Sequence, residues 1–235
     1  MNETKPVPSP THATEKQKTP KTSATTNSAS INSASKGEQD HNRLSQYMPP
    51  APVITKRIAG KIKKPIVLVG LMGTGKSVLG FKLAHALGVG FADSDEETEK
   101  AAGMSIANIF ETMGEDKFRD GEQRVIERLL TENHGVIALG GGAFENKTTR
   151  SSCLEKALCI WLDTSIDTLV ERVGRNNRRP LLQNQNPKTV LQKLYETRKP
   201  AYQQAHLHVQ SDWESKDKSF ALLLHQLDSY LISNE

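Results

Sequence analysis

The chain reads Gly70-Leu71-Met72-Gly73-Thr74-Gly75-Lys76-Ser77 directly after the apolar run Pro65-Ile66-Val67-Leu68-Val69. In such a loop the glycines let consecutive backbone N–H groups surround phosphates, the lysine supplies positive charge, and the serine hydroxyl can ligate Mg²⁺. The apolar run predicts a buried strand before the loop, and residues 76 to about 87 predict a helix that ends near Gly88. This context indicates a nucleoside triphosphate site rather than a fortuitous turn.

The rest of the folded part alternates short apolar segments with helical ones. Strands are predicted at 89–92, 136–139, 158–162 and 206–209. Helices are predicted at 106–110, after the cap Ser105, and at 115–130, after a break at Gly114; further helical periodicity covers 165–173, the residues around Tyr195, and 220–231. Short apolar strands between helices indicate an α/β domain with a parallel sheet. The basic, polar stretch 174–188 is predicted to be a mobile lid.

Polar residues follow three of the predicted strands, and the carboxyl ends of parallel strands meet at one edge of a sheet. Asp93 and Asp95 are two residues apart, so one can face Mg²⁺ while the other points toward an acceptor hydroxyl; the alternative is that they only cap the next helix. Three glycines, 140–142, present bare backbone to a ligand, whereas a tight turn explains only one or two of them. Arg119, taken alone, is a surface ion pair with Glu122.

The first part of the chain differs in composition from the remainder. Residues 1–50 are dominated by Ser, Thr, Lys, Pro, Asn and Ala, which predicts disorder, and we place the arm at 1–60 and the folded domain at 61–235. The arm holds eight basic and four acidic side chains, so it carries the whole net charge of +4. A neutral folded domain predicts no nucleic-acid partner.

The sequence shows neither a membrane span nor a secretory signal, so we expect a soluble, cytoplasmic protein. Import into a plastid is the alternative, because the arm is rich in Ser and Thr; its acidic residues and its preference for Lys over Arg count against a transit peptide. Cys153 and Cys159 are predicted to be buried thiols.

Taken together, these motifs resemble the shikimate kinase family over roughly residues 64–212. Besides the phosphate-binding loop, the resemblance rests on Asp93-Ser94-Asp95, Gly114-Glu115-x-x-Phe118-Arg119-x-x-Glu122, Val136-Ile137-Ala138-Leu139-Gly140-Gly141-Gly142, Arg179-Pro180-Leu181-Leu182 and Arg198-Lys199-Pro200-Ala201-Tyr202. The resemblance implies a P-loop kinase fold like that of nucleoside monophosphate kinases, with three layers, a central parallel sheet, helices on both faces and a mobile lid. It also implies transfer of phosphate from ATP, with Mg²⁺, to the 3-hydroxyl of shikimate. This reaction is the fifth step of chorismate and aromatic amino-acid biosynthesis. The resemblance further implies a monomer, and the lack of a membrane span predicts no membrane partner.

The resemblance also implies roles for single residues. Asp95 acts as the base on the reacting hydroxyl, with Lys76 and Arg179 as the other catalytic residues, and Ser77 and Asp93 serve Mg²⁺, Asp93 through water. The ATP contacts are Gly73, Thr74, Gly75, Lys76, Ser77, Val78 and Arg179. The shikimate contacts are Asp95, Arg119, Gly140, Gly141, Gly142 and Arg198. Arg178 is an alternative to Arg179 on the lid, and Arg175 is assigned to the adenine.

Three alternatives stay open from the sequence. A gluconate or nucleoside monophosphate kinase would share the loop, the sheet and the lid, but it would not need Arg119 and Arg198 for a ring carboxylate. A nucleotide-gated regulatory module would not need Lys76, Asp95 and Arg179 intact. A kinase whose arm also binds nucleic acid would show a salt-sensitive association that depends on residues 1–50.

Overall fold

The computed structural model describes residues 51–132, 135–174, 186–212 and 215–234. Within these ranges the chain forms five strands, eight α-helices and one 3₁₀ helix. In chain order they are α1 (Ala51–Lys61), β1 (Ile66–Val69), α2 (Lys76–Leu87), β2 (Phe91–Asp93), α3 (Ser94–Ala102), α4 (Ile106–Thr131), β3 (Val136–Ala138), the 3₁₀ helix (Ala143–Glu145), α5 (Lys147–Lys156), β4 (Leu158–Asp163), α6 (Ile166–Gly174), α7 (Pro187–Tyr202), β5 (Leu207–Gln210) and α8 (Lys216–Ser233).

The strands form one parallel sheet in the order β2-β3-β1-β4-β5, which confirms the predicted parallel α/β architecture. Strand β1 lies at the centre, and its Ile66 aligns with Val136 on one side and Leu158 on the other. All four residues of β1 are buried, as expected for a strand that is covered on both faces.

The two faces of the sheet are covered by different helices, which gives the predicted three layers. Val67 and Val69 point into a cluster formed with α4, α5, α6 and α7. Ile66 and Leu68 point into a second cluster formed with α1, α2 and α8. Because successive side chains of a strand alternate between faces, the unbroken apolar run of β1 supplies both clusters.

Helix α1 corrects the predicted domain boundary. Residues 51–60 were assigned to the disordered arm, but the structure shows them helical, with Ile54 and Ile58 buried in the second cluster. Between these two isoleucines, Arg57 Nε donates to Asp228 Oδ1 of α8 at 2.6 Å, and Arg57 Nη2 also contacts Asp228 Oδ2. The folded domain therefore begins at or before residue 51, and the prediction of disorder for residues 1–50 lies outside the described residues.

The predicted break at Gly114 is a single-residue kink inside α4. Gly114 has φ 83° and ψ 171°, in the region that favours glycine, and the helix continues on both sides. Helix α5 was not predicted, and α7 and α8 are longer than predicted. Cys153 and Cys159 are free and buried, as predicted.

No described helix is long and apolar enough to cross a membrane.

Candidate active site

The phosphate-binding loop joins the end of β1 to the start of α2, in the arrangement that the motif predicts. Gly73 and Gly75 have φ of 86° and 93°, which glycine adopts without steric cost. A Cβ on Gly73 would lie 3.1 Å from the Val173 side chain and 3.3 Å from that of Leu169, so the loop also packs closely on α6. The helix that leads into the predicted lid therefore supports the loop directly.

Side chains of the loop stabilise its curved backbone. Lys76 Nζ donates to the carbonyl oxygens of Gly70 and Leu71 at 2.8 and 3.0 Å. The buried Thr74 hydroxyl donates to the same Leu71 oxygen at 2.9 Å. Val78, which was predicted to contact ATP, lies in the first turn of α2 and is 41% exposed. The ammonium group of Lys76 is thus held over the concave side of the loop, where phosphates bind in such motifs.

Asp93 connects the phosphate-binding loop to the next strand. At the end of β2, its Oδ2 accepts a hydrogen bond from the Ser77 hydroxyl at 2.6 Å. Its Oδ1 accepts from the backbone N–H of Asp95 at 3.0 Å and so caps α3. Helix capping by Asp93 and a role near Mg²⁺ are therefore compatible. Its Oδ1 caps the helix, while its Oδ2 lies beside the Ser77 hydroxyl, which is predicted to ligate Mg²⁺.

Asp95 lies in the first turn of α3, opposite Gly140. A Cβ on Gly140 would overlap Asp95 Oδ1 and would lie 2.8 Å from Glu122 Oε1. Burial and the nearby Asp93 carboxylate raise the pKa of Asp95, and Lys76 and Arg119 oppose that rise. A carboxylate with a raised pKa near a phosphate-binding loop is suited to accept a proton from a hydroxyl.

Glu122 is a second carboxylate beside Gly140, and it is buried. Its side chain is 5% exposed, and burial raises its pKa, as does the charge of Asp95, whereas Arg119 lowers it. Its Oε2 accepts from Arg119 Nη1 at 2.8 Å. From its helical spacing, Glu122 was predicted only as an ion-pair partner of Arg119, because that spacing does not reveal that α4 brings it against Gly140.

The guanidinium of Arg119 lies against Gly142. Its Nη1 donates to Glu122, and its Nε and Nη2 contact Glu115 Oε1 at 3.3 and 3.2 Å. A Cβ on Gly142 would lie 3.0 Å from Arg119 Nη2, so the guanidinium passes directly over bare backbone. Alanine at 142 would therefore require the guanidinium to shift by a few tenths of an ångström.

Arg198 comes to the same glycines from α7, with its side chain only 9% exposed. Its Nη1 donates to the Gly141 carbonyl oxygen at 3.1 Å, and its Nε donates to Glu145 Oε2 at 3.0 Å. The Tyr202 hydroxyl donates to the same Gly141 oxygen. The structure thus brings Arg119 and Arg198 to adjacent glycines, although 78 residues separate them in the sequence.

Arg172, in the last turn of α6, was missed by the sequence analysis. Its Nη1 and Nη2 donate to the backbone oxygens of Gly73 and Ser211, at 3.4 and 3.2 Å. It therefore bridges the phosphate-binding loop and the segment after β5. The signal was its position two residues before the predicted lid, but the adenine role was assigned to Arg175. Arg175, Arg178 and Arg179 lie outside the described residues.

The described residues contain no group of three or more His, Cys, Asp or Glu side chains that could hold a metal ion by themselves. Mg²⁺ in phosphotransferases is commonly held by one or two protein oxygens and by the phosphates of the substrate. Ser77 and Asp93 offer such hard oxygen donors beside the loop, so this part of the site fits Mg²⁺ bound together with a nucleotide.

Comparison with known proteins agrees with this geometry. The family model of shikimate kinase matches residues 72–228. The shikimate kinase of Novosphingobium aromaticivorans is 46% identical over 179 residues, which are 74% of this chain and 93% of that protein. That of Caulobacter vibrioides is 50% identical over 159 residues, 68% of this chain and 80% of that protein. A solved structure, shikimate kinase from Acinetobacter baumannii in complex with shikimate, is 34% identical, with a TM-score of 0.67 over 76% of this chain and 98% of that one. This chain belongs to the shikimate kinase family.

Proposed function

We propose that the protein transfers the γ-phosphoryl group of ATP to the 3-hydroxyl of shikimate, giving shikimate 3-phosphate and ADP. The observation that carries the proposal is the pair Arg119 and Arg198, held at Gly142 and Gly141 beside Asp95 and the phosphate-binding loop. Planar guanidinium groups are suited to bidentate recognition of a carboxylate, which shikimate has. The family membership and the shikimate complex of a relative support the same acceptor.

For the nucleotide, we assign the phosphates to the backbone of the loop and to Lys76. Ser77 would ligate Mg²⁺ and Asp93 would orient it through water; when bound, the ion neutralises charge on the β- and γ-phosphates. We assign the adenine contact to Arg172 rather than to Arg175, because the Arg172 guanidinium donates to the backbone oxygens of both Gly73 in the loop and Ser211 after β5.

For the acceptor, Asp95 would hydrogen-bond the 3-hydroxyl and take its proton as the new oxygen–phosphorus bond forms and the bond to ADP breaks. Burial of Asp95 supports this role, because a raised pKa makes its carboxylate a stronger base than an exposed aspartate. Gly140, Gly141 and Gly142 would let the ring approach the backbone closely. The predicted role of Arg179, to cover the transferring group and exclude water, stays a prediction.

Other acceptors are less well supported. Neither gluconate kinases nor nucleoside monophosphate kinases need two arginines for a ring carboxylate, and Arg119 and Arg198 are both clamped in place here. A regulatory module is disfavoured because Lys76 and Asp95 are intact and lie at one site.

The test is ADP release that depends on Mg²⁺, with shikimate, gluconate and AMP offered in parallel and Asp95→Asn as the control. We expect release with shikimate alone, and its loss in the control. ADP release with gluconate or AMP would reassign the acceptor, and no release with any of the three would favour a regulatory module.

A separate experiment tests the N-terminal arm. Deletion of residues 1–50 should leave turnover intact. If the full chain shows a salt-sensitive gel shift with nucleic acid and the deletion abolishes it, the protein has a nucleic-acid partner as well.

We also propose that the enzyme acts as a monomer in the cytoplasm. The bacterial relatives favour a cytoplasmic location over import into a plastid.

A further inference from the structure

Arg198 is oriented by two contacts that differ in kind. Its Nη1 donates to a backbone oxygen, that of Gly141, whereas its Nε donates to the Glu145 carboxylate, 53 residues away in the sequence. The Arg198 side chain is 9% exposed, and that of Glu145 is 34% exposed. Neither contact engages Nη2. Among the described residues, the guanidinium is therefore fixed at its Nε edge and at Nη1, and its Nη2 group is left for a further acceptor.

The backbone of Glu145 is itself anchored by hydrogen bonds. It ends the 3₁₀ helix that follows the three glycines, and its backbone N–H donates to the Gly142 oxygen at 3.1 Å. Its carbonyl oxygen accepts from Arg150 Nη1 at 3.1 Å, as does the Phe144 oxygen at 2.9 Å. A short, doubly anchored segment thus connects the carboxylate of Glu145 to the backbone that would border the acceptor.

We propose that Glu145 is a positioning residue for the acceptor, acting by holding the Nε edge of Arg198 so that its remaining N–H groups face the substrate carboxylate. The inference rests on the proposed function. Arg119 has an equivalent arrangement, since Glu115 and Glu122 hold its guanidinium over Gly142. Each of the two arginines is therefore oriented by a glutamate from the protein.

A carboxylate beside Arg198 has two opposing effects on the binding of an anionic substrate. It fixes the guanidinium, which strengthens binding, and it reduces the local positive charge, which weakens binding. Substitutions of Glu145 separate the two effects. Glu145→Gln removes the charge but keeps an oxygen acceptor for Nε, whereas Glu145→Ala removes both.

The experiment measures kcat, both KM values and the equilibrium Kd for shikimate, for the wild type, Glu145→Ala and Glu145→Gln. We expect Glu145→Ala to raise the KM and Kd for shikimate about tenfold, the lower end of the loss seen when a residue that orients a metal ligand is removed. The KM for ATP and kcat should change by less than about threefold. Glu145→Gln should restore most of the shikimate affinity. The matched control is Glu155→Ala, which changes an exposed glutamate on α5. Its kcat, KM values and Kd should equal those of the wild type.

Coupling to Arg198 completes the test. In an Arg198→Ala background, Glu145→Ala should add no further loss of shikimate affinity, because the group that it orients is absent. A fall in KM for both Glu145 variants would overturn the proposal in favour of competition with the substrate. Equal rises in both KM values with a lowered Tm would overturn it in favour of a structural role. If the wild type neither binds nor phosphorylates shikimate, the proposed function fails as well; if it does both and Glu145→Ala is unaltered, only this inference fails.

Discussion

Gly140→Ala would place a methyl group against two carboxylates that the active site holds close together. The added Cβ would overlap Asp95 Oδ1 and lie 2.8 Å from Glu122 Oε1. The backbone at 140 is outside the left-handed region, so alanine itself fits the chain there. Asp95 must then move by about 1 Å, and a misplacement of this size can lower a rate by about 10². This loss corresponds to roughly 2.7 kcal/mol of transition-state stabilisation.

The assay is steady-state phosphorylation of shikimate, with nucleotide affinity measured separately. We expect kcat for Gly140→Ala to fall by about 10² while the affinity for ATP changes by less than about threefold, because the added Cβ contacts acidic side chains rather than the loop. The matched control is Gly121→Ala on α4, where a Cβ would meet nothing within 4 Å. It should keep full activity and gain up to about 1 kcal/mol of stability from helix propensity. A kcat for Gly140→Ala within about threefold of the wild type would refute the idea that Asp95 needs its present position.

Three further predictions concern the base and the core. Asp95→Asn should lower kcat by ~10² or more with ATP binding retained, in a single-turnover assay paired with nucleotide titration; near-normal turnover would remove Asp95 from the mechanism. In the wild type, kcat/KM for shikimate should fall as the pH is lowered, since protonation removes the base. Burial and Asp93 raise the pKa of Asp95, so the fall should begin above the range of an ordinary aspartate, about 3.9; a pH–rate profile flat down to that value would contradict this. Gly80→Ala should lower the free energy of unfolding, measured in urea, by about 1–3 kcal/mol. The reason is that its Cβ would lie 2.7 Å from the Phe91 side chain and 3.1 Å from that of Leu68. An unchanged free energy of unfolding would contradict this, because it would mean that the core accommodates the added methyl group without strain.

The elements that sequence patterns predicted well are those specified by nearby residues. The helix 76–87 was predicted with its observed bounds, because a glycine-rich loop opens it and Gly88, with φ 69°, closes it. The cap Ser105 was also predicted, and its hydroxyl accepts from the Asn108 N–H at 3.2 Å. In these cases the signal and the structure lie within one helical turn of each other.

The elements that were missed depend on distant partners. Helix α5 is polar, and only Thr149 and Cys153 are buried, so it carries no clear apolar stripe. In the site, the motifs supplied Asp95, Arg119 and Arg198, but no local pattern indicates that Glu145 meets Arg198. This contact depends on the tertiary fold, because it forms only when the sheet places α7 against Gly141 and the 3₁₀ helix that follows.

The packing of α1 has a consequence for any experiment on the N-terminal arm. A chain shortened to the predicted boundary, after residue 60, would lose Ile54, Arg57 and Ile58, uncovering leucines of α8 and leaving the buried Asp228 carboxylate without its arginine. Weaker expression or aggregation of that shorter protein would then be mistaken for a biological role of the arm. Cutting the chain at residue 50 removes the arm and leaves this buried surface intact.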